Sequence, residues 1–161
     1  MTEELADLET HRIEGIAKHS GTFFSVELFS QIEGNLWMGG NPRETPAEFS
    51  HIVCLYPWEP YELNPGQSLL KLWLYDGRLD DPVFPKLVHL AADAAVTFSS
   101  LGPTLVHCQA GLNRSGVVTA LALMKRGMEA DDAIRLIRSK RCDACLCNDR
   151  FVGWLEAGAP L

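Results

Sequence analysis

One nine-residue segment combines the residue types that phosphoryl chemistry requires. It lies between a short apolar run, Thr104–His107, and an apolar stretch of helical periodicity that begins near Ser115. A strand, a tight loop and a helix N-terminus form an anion site, because backbone N–H groups converge there and the helix dipole is positive. The segment reads His107-Cys108-Gln109-Ala110-Gly111-Leu112-Asn113-Arg114-Ser115. Its backbone from Gln109 to Asn113 is therefore predicted to hold an oxyanion.

Two side chains of this loop can act on such an anion. The positive field at the helix N-terminus favours the thiolate of Cys108, which is the nucleophilic form. Arg114 carries a planar guanidinium that matches two oxygens of a phosphate and keeps its charge. Gly111 supplies the backbone freedom of a tight loop. Each residue alone is more often structural, but the combination favours a phosphate-binding loop with a nucleophile at its base.

The elements that would position this loop alternate along the middle of the chain. The apolar patterns predict a surface helix at Glu3–Lys18, within residues 1–20. A second helix is predicted to end near Ser100, with Asp81 as its N-cap and Pro82 as its first residue. Further strands are predicted at Phe23–Phe29, Asn35–Met38, His51–Tyr56 and Leu69–Tyr75, and further helices at Ser115–Arg126 (stopped by Gly127), Ala130–Lys140 and Asn148–Ala157. This order predicts an α/β fold, a single domain over residues 1–161. A central, mostly parallel sheet would be flanked by helices on both faces in a three-layer sandwich.

The overall charge excludes some binding partners. The chain of 161 residues has a net charge of -7, with a balance of -9 in residues 1–100 and +2 in residues 101–161. General nucleic-acid binding and binding to anionic membranes both need clustered positive charge, so neither is expected.

No apolar run approaches ~18 residues, the length of a membrane-spanning helix. The acidic N-terminus lacks the order of a secretory signal, and the odd cysteine count favours free thiols in the cytoplasm.

The loop also resembles a known family. The segment HCQAGLNRSG matches the His-Cys-x5-Arg-Ser signature of the protein tyrosine phosphatase superfamily. The small size and the Ala-Gly pair resemble the small, atypical dual-specificity phosphatases, and the similarity runs from about Ile32 to Phe151. It includes NLWMGG near the start and AIRLIRSKR near the end. The resemblance implies a phosphatase-like fold and hydrolysis through a phosphocysteine intermediate, with no metal or cofactor.

The resemblance also implies roles for individual residues. Cys108 would attack phosphorus, and Arg114 and the loop N–H groups would hold the phosphate oxygens. Ser115 would assist loss of the thiolate, and His107 would orient the loop. The general acid would be an Asp after the strand that precedes the long helix. Asp76, Asp80 and Asp81 are the candidates; Asp76, in Asp-Gly, is favoured and Asp80 comes next, although Asp76 could also be a plain turn residue.

The remaining cysteines allow two further interpretations. Cys142, Cys145 and Cys147 are spaced like zinc ligands, but no fourth cysteine or nearby histidine completes a structural site. Cys54 ends a strand expected beside that of Cys108, where some superfamily members hold a thiol that forms a disulfide with the nucleophile. Cys54 is thus a redox-partner candidate, and its alternative role is a small buried hydrophobe.

The expected substrate is a phosphoprotein carrying phosphotyrosine, with phosphoserine and phosphothreonine as further targets. The runner-up is an RNA 5′-triphosphatase-like activity, because Asn113 also occurs in relatives that act on RNA ends. Inositol lipids are disfavoured because the loop holds no lysine. A module that binds phosphoproteins without turnover is a third hypothesis. Trp58 and Tyr61 would form the rim of the site or else pack against the body of the domain. The sequence does not predict the oligomeric state.

Overall fold

The loop is carried by a five-stranded sheet in the computed structural model, which describes residues 11–13, 16–19, 22–77 and 79–161. Its strands are β4 (Phe29–Glu33), β5 (Leu36–Gly39), β6 (His51–Cys54), β7 (Ser68–Lys71) and β8 (Thr104–His107). They have the order β4-β5-β8-β6-β7, with β4 antiparallel to β5 and the other pairs parallel. A separate antiparallel sheet comprises β1 (His11–Ile13), β2 (Ile16–His19) and β3 (Thr22–Ser25).

The described helices cover one face of the five-stranded sheet. They are α1 (Phe84–Leu101), α2 (Arg114–Lys125), α3 (Ala130–Lys140) and α4 (Asp149–Glu156). Met38, Val53 and Val106 of the sheet belong to the same core as these helices. The α/β fold with a mostly parallel sheet and flanking helices is confirmed. The second face differs from the prediction, because in the described part of the chain Phe49 and Tyr61, from loops, cover it rather than a helix.

Strand β8 is the central strand, and it places the predicted anion-binding loop. All four of its residues are buried, and β5 and β6 pair with it on either side in parallel register. A strand buried on both faces needs apolar side chains throughout, which the sequence Thr-Leu-Val-His nearly provides. Since β8 points its carboxyl end in the same direction as its neighbours, the loop after His107 opens at the edge of the sheet where ligands bind in α/β folds.

The N-terminal helix prediction, Glu3–Lys18, is wrong where it can be checked. His11–Ile13 and Ile16–His19 are paired strands, with His11 opposite Lys18 and Ile13 opposite Ile16. Residues 3–10 lie outside the described residues. Gly15 falls inside the predicted helix and costs ~1 kcal/mol in a helix interior, and backbone pairing overrides the weak helical pattern that remains.

Other boundaries shift for local reasons. The strand predicted at Phe23–Phe29 is divided between β3 and β4, and the one predicted at Leu69–Tyr75 ends at Lys71. Helix α1 begins at Phe84, so Asp81 and Pro82 are not its cap and first residue; the Asp81 carboxylate instead accepts the Val83 N–H at 2.9 Å. Gly127 is confirmed as the stop of α2, with φ at 102°. None of the helices in the described ranges is long and apolar enough to cross a membrane.

Candidate active site

The predicted loop joins β8 to α2 in the conformation that an anion site requires. The loop is held from the β5 side, because Cys108 N–H donates to the Gly39 carbonyl at 3.3 Å and Asn41 N–H donates to the Gln109 carbonyl at 2.9 Å. Gly111 has a φ of 74°, and a Cβ there would lie 2.5 Å from the carbonyl carbon of Gly39. A side chain would therefore be excluded both by backbone strain and by space.

Cys108 lies at the base of this loop, fully buried. The Gly111 N–H donates to its sulfur at 3.3 Å, and the Ser115 hydroxyl lies 3.3 Å from the same sulfur. Hydrogen bonds to sulfur from an N–H and a hydroxyl, together with the N-terminus of α2, stabilise negative charge on the thiol. The structure thus brings together Cys108, Gly111 and Ser115 as the sequence predicts.

His107 is buried beside Cys108 in one fixed tautomer. Its Nδ1 lies 3.1 Å from the Cys108 carbonyl, so that nitrogen carries the proton. Its Nε2 accepts the Tyr61 hydroxyl at 2.6 Å. Burial, together with the positive charge of Arg114, lowers the pKa of His107 to about 4, although the hydrogen bond to the Cys108 carbonyl opposes the shift. Tyr61 was expected at the rim or in the body of the domain; it packs inside, and its bond to His107 was not predicted.

Arg114 opens α2 and is fully buried. One guanidinium nitrogen donates to the Leu74 carbonyl at 3.3 Å, which connects the loop to the segment that carries Asp76. The guanidinium carbon lies 5.1 Å from the centroid of the Tyr56 ring. Trp58 contacts Tyr56 and Tyr75, and both Trp58 and Tyr75 are exposed. The structure therefore places an accessible aromatic cluster, Tyr56, Trp58 and Tyr75, beside the arginine.

Among the three candidate acids, Asp76 contacts the loop. It is 1% exposed, and its two carboxylate oxygens accept hydrogen bonds from Asn113 at 2.8 Å and from Asn148 at 3.0 Å. Asp80 and Asp81 are both exposed. Asp76 is thus fixed in orientation by two amide groups.

Asn113 and Asn148 form a bracket around Asp76. The Asn113 side-chain oxygen accepts the Asn148 N–H at 2.9 Å, while its amide nitrogen donates to Asp76 and also lies 3.4 Å from the Cys147 sulfur. Asn148 also caps α4, since its side chain accepts the Arg150 N–H at 3.1 Å. The cap was predictable from the sequence. The contact with Asp76 was not, because the two residues are 72 positions apart.

Arg141 is a site residue that the motif did not reveal. Its guanidinium donates to the carbonyls of Gly111 at 2.6 Å and Ala110 at 3.3 Å. On the opposite side it donates to the Glu27 carbonyl and the Ser30 hydroxyl. The available signal was its place in AIRLIRSKR. These bonds occupy the carbonyls of Ala110 and Gly111 on the outer side of the loop, while the Gly111 N–H points to the Cys108 sulfur.

The five cysteines are all free. Cys54 lies opposite His107 in the β6–β8 register, but its side chain packs with Ile52 and Leu105, whereas Cys108 belongs to the core on the helix side. Burial raises the pKa of the Cys54 thiol. Its role as a redox partner of Cys108 stays a prediction. In the chain as described, no three His, Cys, Asp or Glu side chains are grouped to hold a metal ion.

Comparison with known proteins agrees with this geometry. Residues 64–158 match the model of the dual specificity phosphatase catalytic domain. A 55-residue segment is 47% identical to human protein tyrosine phosphatase type IVA 3, and one of the same length is 56% identical to mouse type IVA 2. Each segment spans 34% of this chain and about a third (31% and 32%) of the relative.

Solved structures extend the similarity over most of the fold. A mouse putative dual specificity phosphatase, complexed with zinc tungstate, superimposes with a TM-score of 0.66 at 25% identity. That alignment covers 81% of this chain and 85% of the mouse chain.

Proposed function

Because the chain belongs to the dual specificity phosphatase family by its catalytic domain, we propose that it hydrolyses phosphomonoesters in proteins with Cys108 as nucleophile. The observation that carries the proposal is the buried sulfur of Cys108, with a backbone N–H and the Ser115 hydroxyl each 3.3 Å away at the N-terminus of a helix. This is a thiol held at the base of an anion site, the arrangement that covalent phosphoryl transfer requires.

In the first step the Cys108 thiolate attacks phosphorus, and the bond from phosphorus to the leaving oxygen breaks. The loop N–H groups and Arg114 stabilise the charge on the equatorial oxygens. Asp76 gives its proton to the leaving oxygen, which departs as an alcohol or phenol. In the second step Asp76 takes a proton from water, which attacks the phosphocysteine. The Ser115 hydroxyl then donates a hydrogen bond to the departing thiolate, and inorganic phosphate is released.

The surroundings of the loop support phosphotyrosine as a substrate, with phosphoserine and phosphothreonine as further ones. The Tyr56 ring lies over Arg114, and the exposed Trp58 and Tyr75 rings that extend from it offer a surface against which a phosphorylated aromatic ring can stack. The RNA alternative loses its main support, since the Asn113 side chain is engaged with Asp76 and the Asn148 N–H rather than presented to a substrate. Five free cysteines support a cytoplasmic location.

Hydrolysis of a generic aryl phosphate tests the proposal. The wild-type protein is expected to turn over the ester, and Cys108→Ser is expected to bind it without turnover. A wild-type protein that binds a phosphotyrosine peptide but hydrolyses neither that peptide nor the aryl phosphate would refute the enzyme assignment. It would leave a phosphoprotein-binding module.

The acid is tested separately with leaving groups of different pKa. Asp76→Asn is expected to lower kcat by ~10²–10⁴-fold for an alkyl phosphate, because the poor leaving group needs the proton. An ester with an acidic phenol should be affected far less. The matched control is Asp80→Asn at the neighbouring exposed carboxylate. If Asp80→Asn shows the larger, leaving-group-dependent loss, Asp80 is the acid.

A further inference from the structure

A turn that contains two cysteines lies directly behind the catalytic loop and has no part in the mechanism above. It follows α3, and the Cys145 N–H donates to the Cys142 carbonyl at 3.1 Å, which closes the turn. The closure brings the two sulfurs to 3.6 Å from each other. A disulfide has a sulfur–sulfur distance of ~2.05 Å, so an approach of about 1.5 Å would join them.

The two thiols differ in a way that suits stepwise oxidation. Cys142 is half-buried and open to solvent, whereas Cys145 is fully buried beneath it. A hydrogen bond from the Cys145 thiol lowers the pKa of Cys142 to about 6, with help from the Ala144 N–H and the charge of Arg141 and against the effect of burial. The pKa of Cys145 is raised, because its proton is held in that hydrogen bond and its sulfur is buried. The solvent-accessible Cys142 sulfur is therefore the one that an oxidant reaches first, and the Cys145 sulfur lies beneath it within 3.6 Å.

The turn is connected to the catalytic loop at several points. The Leu146 N–H donates to the Leu112 carbonyl at 3.1 Å, and the Cys147 sulfur contacts the Asn113 side chain. On the other side, Arg138 donates to the carbonyls of Cys145 and Leu146 and fixes the turn to α3. A displacement of the sulfurs in this turn is therefore transmitted to Leu112 and Asn113.

From this geometry we propose that Cys142 and Cys145 are a reversible disulfide-forming pair, oxidised by peroxide, whose closure lowers the turnover of the adjacent catalytic loop. The effect on turnover rests on the proposed phosphatase function. The formation of the disulfide does not, because it depends on the two sulfurs alone.

The chemistry is balanced with peroxide as the oxidant. The Cys142 thiolate attacks one peroxide oxygen, the O–O bond breaks, and the departing hydroxide takes a proton to become water. Cys142 is then a sulfenic acid. The Cys145 sulfur attacks the Cys142 sulfur, the S–O bond breaks, and the hydroxide that leaves takes the Cys145 proton as a second water. Two thiols lose two electrons, and hydrogen peroxide is reduced to two waters.

The first experiment measures the disulfide without the nucleophile. Cys108→Ser protein is titrated with hydrogen peroxide, free thiols are alkylated, and peptides are mapped by mass spectrometry. The expected result is loss of both alkylation sites at Cys142 and Cys145 in one internally linked peptide, reversed by dithiothreitol. Cys147→Ser added to this background is the matched control and should retain the link. Free thiols at Cys142 and Cys145, a stable sulfinic acid at Cys142, or a link from either to Cys54 or Cys147 would each overturn the pair.

The second experiment measures the consequence for turnover. Wild-type protein is treated with peroxide while inorganic phosphate occupies the loop and shields Cys108, the phosphate is removed, and aryl phosphate hydrolysis is compared with the untreated protein. A loss of kcat that dithiothreitol restores is expected in the wild type and absent in the double variant Cys142→Ser, Cys145→Ser. Equal losses in the two proteins would refute the coupling to turnover. A wild-type protein without activity before oxidation would refute the proposed function and leave the result of the mapping unaffected.

Discussion

The pH dependence of stability should report the burial of His107. This imidazole is fully buried and neutral, with Nδ1 donating to the Cys108 carbonyl and Nε2 accepting the Tyr61 hydroxyl. Protonation would place a second proton on Nε2, where it would face the Tyr61 hydroxyl, and it would put a positive charge on a fully buried side chain. Lowering the pH therefore perturbs the folded state at one identified nitrogen.

The magnitude follows from the two pKa values. His107 titrates near 6.5 when exposed in the unfolded chain and at about 4 in the folded protein, so between these values the unfolded chain binds more protons. Its contribution to the free energy of unfolding is fully present above pH 6.5 and is lost as the pH falls towards 4. At 1.36 kcal/mol for each pKa unit, the total loss is about 3 kcal/mol.

Urea unfolding under reducing conditions, at several pH values between 7.5 and 4, measures this loss. Carboxylates also titrate in this range, so the His107 contribution is the difference between the wild type and His107→Gln, which keeps a donor and an acceptor but does not titrate. The variant is expected to lose about 3 kcal/mol less than the wild type over the same pH range. His89→Gln, at a histidine of α1 whose Nε2 lies 2.9 Å from the Ala159 carbonyl, is the matched control for the loss of an imidazole away from the Cys108 loop.

A direct titration keeps the prediction testable if His107→Gln does not fold. The imidazole protons of wild-type His107 should show no titration by NMR above pH 5. A His107 midpoint near 6.5, or parallel pH profiles for the wild type and His107→Gln, would refute the assignment of a buried neutral imidazole.

Substitutions at three positions test other parts of the site. Tyr61→Phe leaves His107 Nε2 buried without its donor and should lower the free energy of unfolding in urea by ~1–3 kcal/mol. An unchanged free energy of unfolding would show that this hydrogen bond is weak. Gly111→Ala places a Cβ 2.5 Å from the Gly39 carbonyl carbon at a φ of 74°, and should abolish both aryl phosphate turnover and vanadate binding; retained binding would contradict the close approach. Asn148→Ala removes the cap of α4 and should lower the free energy of unfolding by about 1 kcal/mol. It should also lower kcat for alkyl phosphates, because Asp76 loses one of the amides that fix its orientation. Asn148→Ser should restore the stability but not kcat, and recovery of both would show that the residue is a cap alone.

The elements beside the catalytic loop were predictable because their signals are local. Strand β8 has the predicted bounds and α2 begins one residue earlier than predicted, since a short apolar run, a glycine and a helical apolar pattern are contiguous in the sequence. Gly127 is a stop because a positive φ is required immediately after the helix. The nucleophile and the anion loop follow from these elements.

The supporting contacts were not predictable, because they join distant parts of the chain. Asp76 and Asn148 are 72 positions apart, and Tyr61 and His107 are 46 apart. Nothing in the types of these residues distinguishes a buried partner from an exposed one. The N-terminal strands were missed for a related reason: a weak amphipathic pattern at residues 3–18 did not reveal that the backbones of His11–Ile13 and Ile16–His19 are paired.

The sheet order gives the nucleophile and the acid different mechanical surroundings. Cys108 follows β8, which has a hydrogen-bonded strand on each side, whereas Asp76 follows β7, which lies at the edge and is bonded on one side. Amide protons in central strands exchange mainly when the whole protein unfolds, while edge segments open locally at lower free energy. The phosphate cradle therefore persists for as long as the protein is folded. The segment that carries Asp76 has no such support from the sheet, so its position against the loop depends on the hydrogen bonds that Asn113, Asn148 and Arg114 donate to it.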